Sequence, residues 1–239
     1  MKMIRPSKRK NNEIREVEIQ TNVNKYAEGS CLIKIGNTHV LCTASVEERV
    51  PPFLRGKNKG WVTAEYSMLP RSTHTRNQRA NAVKPNGRAL EIQRLISRSL
   101  RSTVNMNILG ERQITVDCDV IQADGGTRCA SITGGFVALK IAIDKLIKDR
   151  VLSNNPIIDS VSAISCGIYK GEVVADLDYD EDSTCDIDAN FILNSKGNII
   201  EVQATAEDKD FSFEELAKMY EFAKNGCENL KEKQHNSSN

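Results

Sequence analysis

Apolar and polar residues alternate with a period of two over several stretches of this chain and recur at helical spacing over others. Ser30 to Ile35 and Thr38 to Ser45 read as strands, and the Gly36-Asn37 dipeptide between them tolerates positive φ, which predicts a tight hairpin containing His39. Trp61 to Met68 and Ile114 to Gln122 read as further strands. A second set is predicted at Ile157 to Ile168, Glu172 to Leu177, Cys185 to Leu193 and Asn198 to Ala204, with turns at Lys170-Gly171 and Lys196-Gly197. From Arg88 to Val104, Ile92, Leu95, Ile96, Ser99 and Leu100 share one helical face, while Arg94, Arg98 and Arg101 lie on another. A second helix, about Cys129 to Lys148, carries Ser131, Thr133, Gly134 and Gly135 early, small residues expected to let its first turns approach a neighbouring backbone. A third runs from about Phe213 to Lys231. The pattern is α+β, and one domain is expected over residues 1–239, ending in a polar tail from about residue 233.

Composition narrows the setting. A chain of 239 residues with 39% hydrophobic and 27% charged residues has enough apolar material for a core without staples. Cys31, Cys42, Cys118, Cys129, Cys166, Cys185 and Cys227 form no C-x-x-C pair and lie mostly in apolar runs, which suits reduced, buried thiols. The basic opening is followed by Asn11-Asn12-Glu13 where a signal peptide needs apolar residues, and no run is long enough to span a membrane, so a cytoplasmic location is expected.

The net charge of +1 hides segregation. Between Arg71 and Arg101 stand Arg71, Arg76, Arg79, Lys84, Arg88, Arg94, Arg98 and Arg101 against Glu91 alone. Between Lys170 and Asn190 the imbalance reverses: Glu172, Asp176, Asp178, Asp180, Glu181, Asp182, Asp186 and Asp188 oppose one lysine. Either run alone is ordinarily a solvated face; together they suggest one window for phosphate and another for metal or protons.

The stretch Asp124-Gly-Gly-Thr-Arg128 joins a strand to a helix, so backbone N–H groups and the helix dipole converge beside the Thr127 hydroxyl and the Arg128 fork. Gly87-Arg88 opens the first helix similarly. Neither matches G-x-x-x-x-G-K-[ST] or G-x-G-x-x-G, which removes the usual support for a nucleoside triphosphate or dinucleotide and leaves a small phosphate. In the acidic run, strand alternation aims Asp186 and Asp188 together, with Asp182 folding back beside them as a ligand set suited to Mg²⁺, while Asp178 and Asp180 point to solvent. With only His39, His74 and His235 and no spaced Cys/His cluster, zinc and histidine triads are poorly supported, and His74 is an RNA contact or a bystander.

Several of these residues lie in longer stretches that resemble the ribonuclease PH family. They are Ala27-Glu-Gly-Ser30, Gly60-Trp-Val-Thr-Ala-Glu-Tyr66, Met68-Leu-Pro-Arg-Ser-Thr-His-Thr-Arg76, Glu91-Ile-Gln-Arg-Leu95, Asp117-Cys-Asp-Val-Ile-Gln-Ala-Asp-Gly-Gly-Thr-Arg128, Ser131-Ile-Thr-Gly134 and Glu201-Val-Gln203, within roughly Arg5 to Gly226. The resemblance implies a ribosomal-protein-S5-domain-2-like fold in dimers that close into a homohexameric ring, a trimer of dimers. It also implies phosphate-dependent 3′-to-5′ trimming of precursor tRNA tails and other RNA, releasing nucleoside diphosphates reversibly. By position it assigns phosphate to Arg88, Gly126, Thr127 and Arg128, catalysis and Mg²⁺ to Asp182 and Asp188, and RNA to Arg71, Arg76 and Arg79. Local departures are Cys185 for an expected Ala, Ala189 for Met, Ala204 for Gly, and Asp208 and Asp210 for Gly and Pro. Two rivals are a non-catalytic RNA-binding ring subunit, which need not keep both aspartates and both arginines, and a hydrolytic metal nuclease, which needs no phosphate cradle.

Overall fold

The computed structural model describes residues 3–79, 87–207 and 209–237. A five-stranded sheet has the order β1 (Val17–Thr21), β2 (Gly29–Ile35), β3 (Thr38–Glu47), β5 (Gln113–Gln122), β4 (Trp61–Met68). Its pairs are antiparallel except β4 with β5. A four-stranded antiparallel sheet has the order β7 (Glu172–Ala175), β6 (Val161–Tyr169), β8 (Ile187–Asn194), β9 (Ile199–Ala206). The helices are α1 (Gly87–Arg101), α2 (Met106–Leu109), α3 (Thr127–Lys148), α4 (Tyr179–Asp182) and α5 (Phe213–Ser237).

The expected strands appear within a few residues of their predicted limits, the largest shift being β6, whose predicted start near Ile157 lies four residues before Val161. The Gly36-Asn37 hairpin forms with Ile35 opposite Thr38 and Gly36 at φ +54°. A Cβ on Gly36 would lie 2.6 Å from Cδ of Arg15, so the turn also needs glycine for space. Along β3 and β5 buried and half-exposed residues alternate, which gives the first sheet one core face. β6 is buried throughout and packs against both α3 and α5. α3 lies against both sheets and is buried continuously from Cys129 to Leu139, so one continuous core joins them. Gly134 does admit a close neighbour, but it is the Ile33 side chain, 2.7 Å from a built Cβ; the approach to backbone occurs at Gly29 of β2, against the Ala138 carbonyl of α3.

Two expectations change at the ends of the chain. β1 is an additional edge strand, and the residues read as a polar tail continue α5 through Ser237. Gln234 is 4% exposed and donates to the carbonyls of Thr133 and Val161 at 2.9 and 3.0 Å, which anchors the final turn in the core. All seven cysteines are buried and unpaired, in line with reduced thiols. Among the described residues no helix is long and apolar enough to cross a membrane.

Candidate functional site

Two connections meet at one cleft, where the Tyr179 N–H of one donates to Asp124 Oδ1 of the other at 3.3 Å. The first, from β5 into α3, holds Gly125 and Gly126 at φ +73° and +66°, left-handed values that favour glycine. Gly126 is the N-cap of α3, and no side chain caps that end. The helix has 22 residues, so its first N–H groups and its dipole are available to an anion. Thr127 Oγ1 lies 2.9 Å from the Tyr66 hydroxyl, whose pKa burial pushes up and the Thr127 contact eases back. Arg128 donates from Nη1 to Gln203 Oε1 at 2.8 Å and lies 3.8 Å from Glu91.

The second connection, from β7 to β8, contains α4. Asp178 caps this helix and forms a capping box with Glu181. Asp182 ends the helix, and Asp188 lies on β8 between Gly167 of β6 and Thr205 of β9. Burial raises the pKa of Asp182, with Arg88 and Arg128 pulling the other way. Burial pushes Asp188 up to about 6, Asp182 repulsion adds to the rise, and Arg128 and Arg88 oppose it. Asn190 donates to Asp188 Oδ1 at 3.3 Å and accepts from Cys129 Sγ at 3.2 Å.

Arg88, Gly126, Thr127, Arg128, Asp182 and Asp188 all line a cleft of about 710 Å³, and four of them continue into an adjoining one of about 1030 Å³. Arg88 and Arg128 thus face the same space as the two carboxylates. Asp186 does not join them: its backbone N–H bonds to Ile168, and its carboxylate pairs with Lys209 at 3.3 Å. Among the described residues no group of three or more His, Cys, Asp or Glu is arranged to hold a metal ion, which leaves a pair of aspartates.

Asp178 is not the solvent-facing acid its sequence suggests. Arg9 reaches Asp176 and Asp178, each at 3.2 Å, and Arg5 forms a buried pair with Glu181 at 2.6 Å. Arg15 binds Asp176 at 2.7 Å. Three acids of the run are therefore neutralised by arginines over 160 positions away, a pairing that local pattern cannot reveal.

Arg71, Arg76 and Arg79 are exposed on the loop after β4. They line neither cleft, whereas Thr73, His74, Thr75, Asn77 and Gln78 of the same loop line the smaller one. His74 packs against Tyr179 with ring centroids 5.1 Å apart. Tyr66, Asn190 and Gln203 are cleft residues that charge patterning misses, although Tyr66 and Gln203 fall within the quoted family stretches. Cys185 and Ala204 line the larger cleft, with Cys185 Sγ 3.4 Å from the Asp182 carbonyl, while Ala189 is in the core and Asp210 is exposed. Lys84 and Asp208 lie outside the described residues.

Residues 13–143 match domain 1 of the 3′ exoribonuclease family and residues 159–226 match domain 2. The chain is 56% identical over 228 residues to ribonuclease PH of Cereibacter sphaeroides, covering 95% of this chain and 96% of the relative. It is 58% identical over 232 residues to ribonuclease PH of Methylorubrum populi, covering 97% and 98%. Among solved structures, Rrp46 from rice has a TM-score of 0.80 at 17% identity, over 98% of this chain and 100% of that one. A subunit of the Archaeoglobus fulgidus exosome with RNA bound to the active site has a TM-score of 0.80 at 21% identity, over 96% and 92%. These two likenesses are of fold.

Proposed function

Because this chain belongs to the ribonuclease PH family of 3′ exoribonucleases, we infer a division of labour among its own cleft residues. The activity is phosphorolytic 3′-to-5′ trimming of tRNA ends, with inorganic phosphate as a substrate. One observation carries the assignment: both arginines, the uncapped start of α3 and both aspartates line the same cleft.

Arg88, Arg128, the Thr127 hydroxyl and the N–H groups after Gly126 hold hydrogen phosphate. They orient it in line with the last phosphodiester of the RNA. A phosphate oxygen forms the new P–O bond as the P–O3′ bond breaks, releasing a nucleoside diphosphate. The proton that hydrogen phosphate brings is the one with which the 3′-hydroxyl leaves, so no external base is needed. Tyr66 fixes the Thr127 hydroxyl, and Gln203 fixes Arg128. Asp188, with its pKa near 6, is a cleft acid able to carry a proton close to neutral pH.

Asp182 and Asp188 suit Mg²⁺ because two adjacent, half-buried carboxylates whose pKa values are raised favour an added cation. When bound, the ion would neutralise charge on the departing 3′-oxygen. Arg71, Arg76 and Arg79 stand outside the cleft, where they suit the RNA backbone upstream of the scissile bond. Membership of the family supports assembly into a homohexameric ring, a trimer of dimers.

The test is incubation of the protein with 3′-extended tRNA and Mg²⁺, with and without phosphate. Nucleoside diphosphates should form only with phosphate present. Monophosphates released at an undiminished rate without phosphate would replace this chemistry with hydrolysis.

A further inference from the structure

Arg15 sits behind the cleft, 9% exposed, and touches both connections that form it. Its Nε and Nη2 grip Asp176 at 2.9 and 2.7 Å, and its backbone N–H donates to the same carboxylate at 2.7 Å. Nη2 also donates to the Leu177 carbonyl at 3.3 Å, so the guanidinium holds the segment entering α4. From the opposite side Nη1 donates to the Asp124 carbonyl, and Nη2 reaches the Gly125 carbonyl at 3.4 Å. The buried Thr38 hydroxyl supports the same turn, donating to the Gly125 carbonyl at 2.6 Å and accepting from the Asp124 N–H at 2.9 Å.

The orientation of these carbonyls has a chemical result. In a planar trans peptide the C=O and the following N–H point in opposite directions. Drawing the carbonyls of Asp124 and Gly125 back onto Arg15 and Thr38 therefore turns the N–H groups of Gly125 and Gly126 away from the guanidinium. Both glycines line the cleft, so these N–H groups add to the donors after Gly126 in the proposed phosphate site. Asp176, held in the left-handed region at φ +53° although it is not glycine, places the other half of the cleft on the same cation.

We propose that Arg15 is a positioning residue for the phosphate substrate: it orients the peptides of the Asp124-Gly125-Gly126 turn and ties that turn to the segment carrying Asp182. It touches no reacting atom. This rests on the assignment of phosphate to the Gly126-Thr127-Arg128 site.

The chemistry predicts that charge alone is insufficient. A lysine at position 15 keeps the positive charge, but one ammonium cannot grip Asp176 from two nitrogens while holding carbonyls on both connections. Arg15→Lys should raise the phosphate KM by about tenfold, and Thr38→Val by about threefold because it releases only one side of the turn. The RNA KM should stay within about twofold in both, and light scattering should give the wild-type particle mass. Arg128→Ala serves as the reference. If Arg128→Ala raises the phosphate KM while Arg15→Lys and Thr38→Val leave it unchanged, the positioning role is wrong and the phosphate site stands. If Arg128→Ala also has no effect, the phosphate site and the role built on it both fall. A parallel rise in phosphate and RNA KM would show general loosening and overturn the proposal. Should Arg15→Lys fail to fold, Thr38→Val decides by the same criteria.

Discussion

Replacing Arg128 with alanine should damage use of phosphate far more than use of RNA. The size of the effect follows from how its guanidinium is committed. Nη1 is bonded to Gln203 at 2.8 Å, and the nearest carboxylate, Glu91, is 3.8 Å away and largely solvated. That leaves the other edge of a side chain only 18% exposed to face the cleft. Either one charge-assisted hydrogen bond near the top of the range of about 1.5–3 kcal/mol or two near its foot gives a loss of about 3 kcal/mol, bracketed as roughly 2–4 kcal/mol. Because about 1.4 kcal/mol is tenfold, the phosphate term in kcat/KM should fall roughly 30- to 700-fold. Gln203 lies near the surface and keeps its donation to Glu91 at 3.0 Å, so water can replace Arg128 without a large folding penalty. Arg128→Lys should lie between, near tenfold, since it preserves charge but not the fork. The assay is steady-state trimming of a 3′-labelled tRNA over a phosphate series, with diphosphates quantified by chromatography and RNA affinity titrated without phosphate. A folded Arg128→Ala protein whose phosphate KM and kcat both stay within twofold of wild type would refute this placement of phosphate.

Three further outcomes are expected. Arg5→Met leaves the buried Glu181 carboxylate only the longer Arg9 contact at 3.5 Å and the Asp178 N–H, so thermal denaturation should show a loss of about 3–5 kcal/mol, a fall of roughly 6–20 °C, part of which Arg5→Met/Glu181→Leu recovers; a drop in the single variant below about 3 °C contradicts the pairing. Asp188 has a folded pKa near 6, above its ordinary 3.8, so the protonated form is favoured by folding and metal-free protein should lose stability as pH rises from about 4 to 6. Mg²⁺ should therefore raise the Tm more at pH 7.5 than at pH 5 in wild type and not in Asp188→Asn, and equal shifts in both proteins would remove Asp188 as a ligand. Alanine at Arg71, Arg76 and Arg79 together should flatten the log-affinity against log-salt slope for single-stranded RNA by about 2, and an unaltered slope would assign the loop to another role.

Much of the architecture is legible locally because period-two and helical patterns record which face of each element is buried. Trp61–Met68 and the inward face of α1 are examples. The glycines before Thr127 are legible for a similar reason, since a left-handed turn leading into a helix leaves a signature within five residues. The acidic run is different. Its sequence shows eight acids but not which of them meet a cation, and Arg5, Arg9 and Arg15 arrive from the far end of the chain. Asp186 shares the alternation of Asp188, yet it lines neither cleft and pairs with Lys209. The end of α5 hides likewise, because Gln234 is polar by type and core by the two carbonyls it satisfies.

The Arg5–Glu181 and Arg15–Asp176 pairs join residues 176 and 161 positions apart. During synthesis the first residues to emerge must wait for the segment around residue 181 before their guanidiniums find partners. Until then α4, four residues long, has only its own capping box to keep it helical. Asp182 consequently takes its place only once most of the polypeptide has left the ribosome, which makes competence to cut RNA a late event in the life of each molecule. A nascent or prematurely terminated chain that lacks residues 176–188 has neither the acids that hold Arg5 and Arg15 nor Asp182 and Asp188, so it should be unable to degrade the RNA around it.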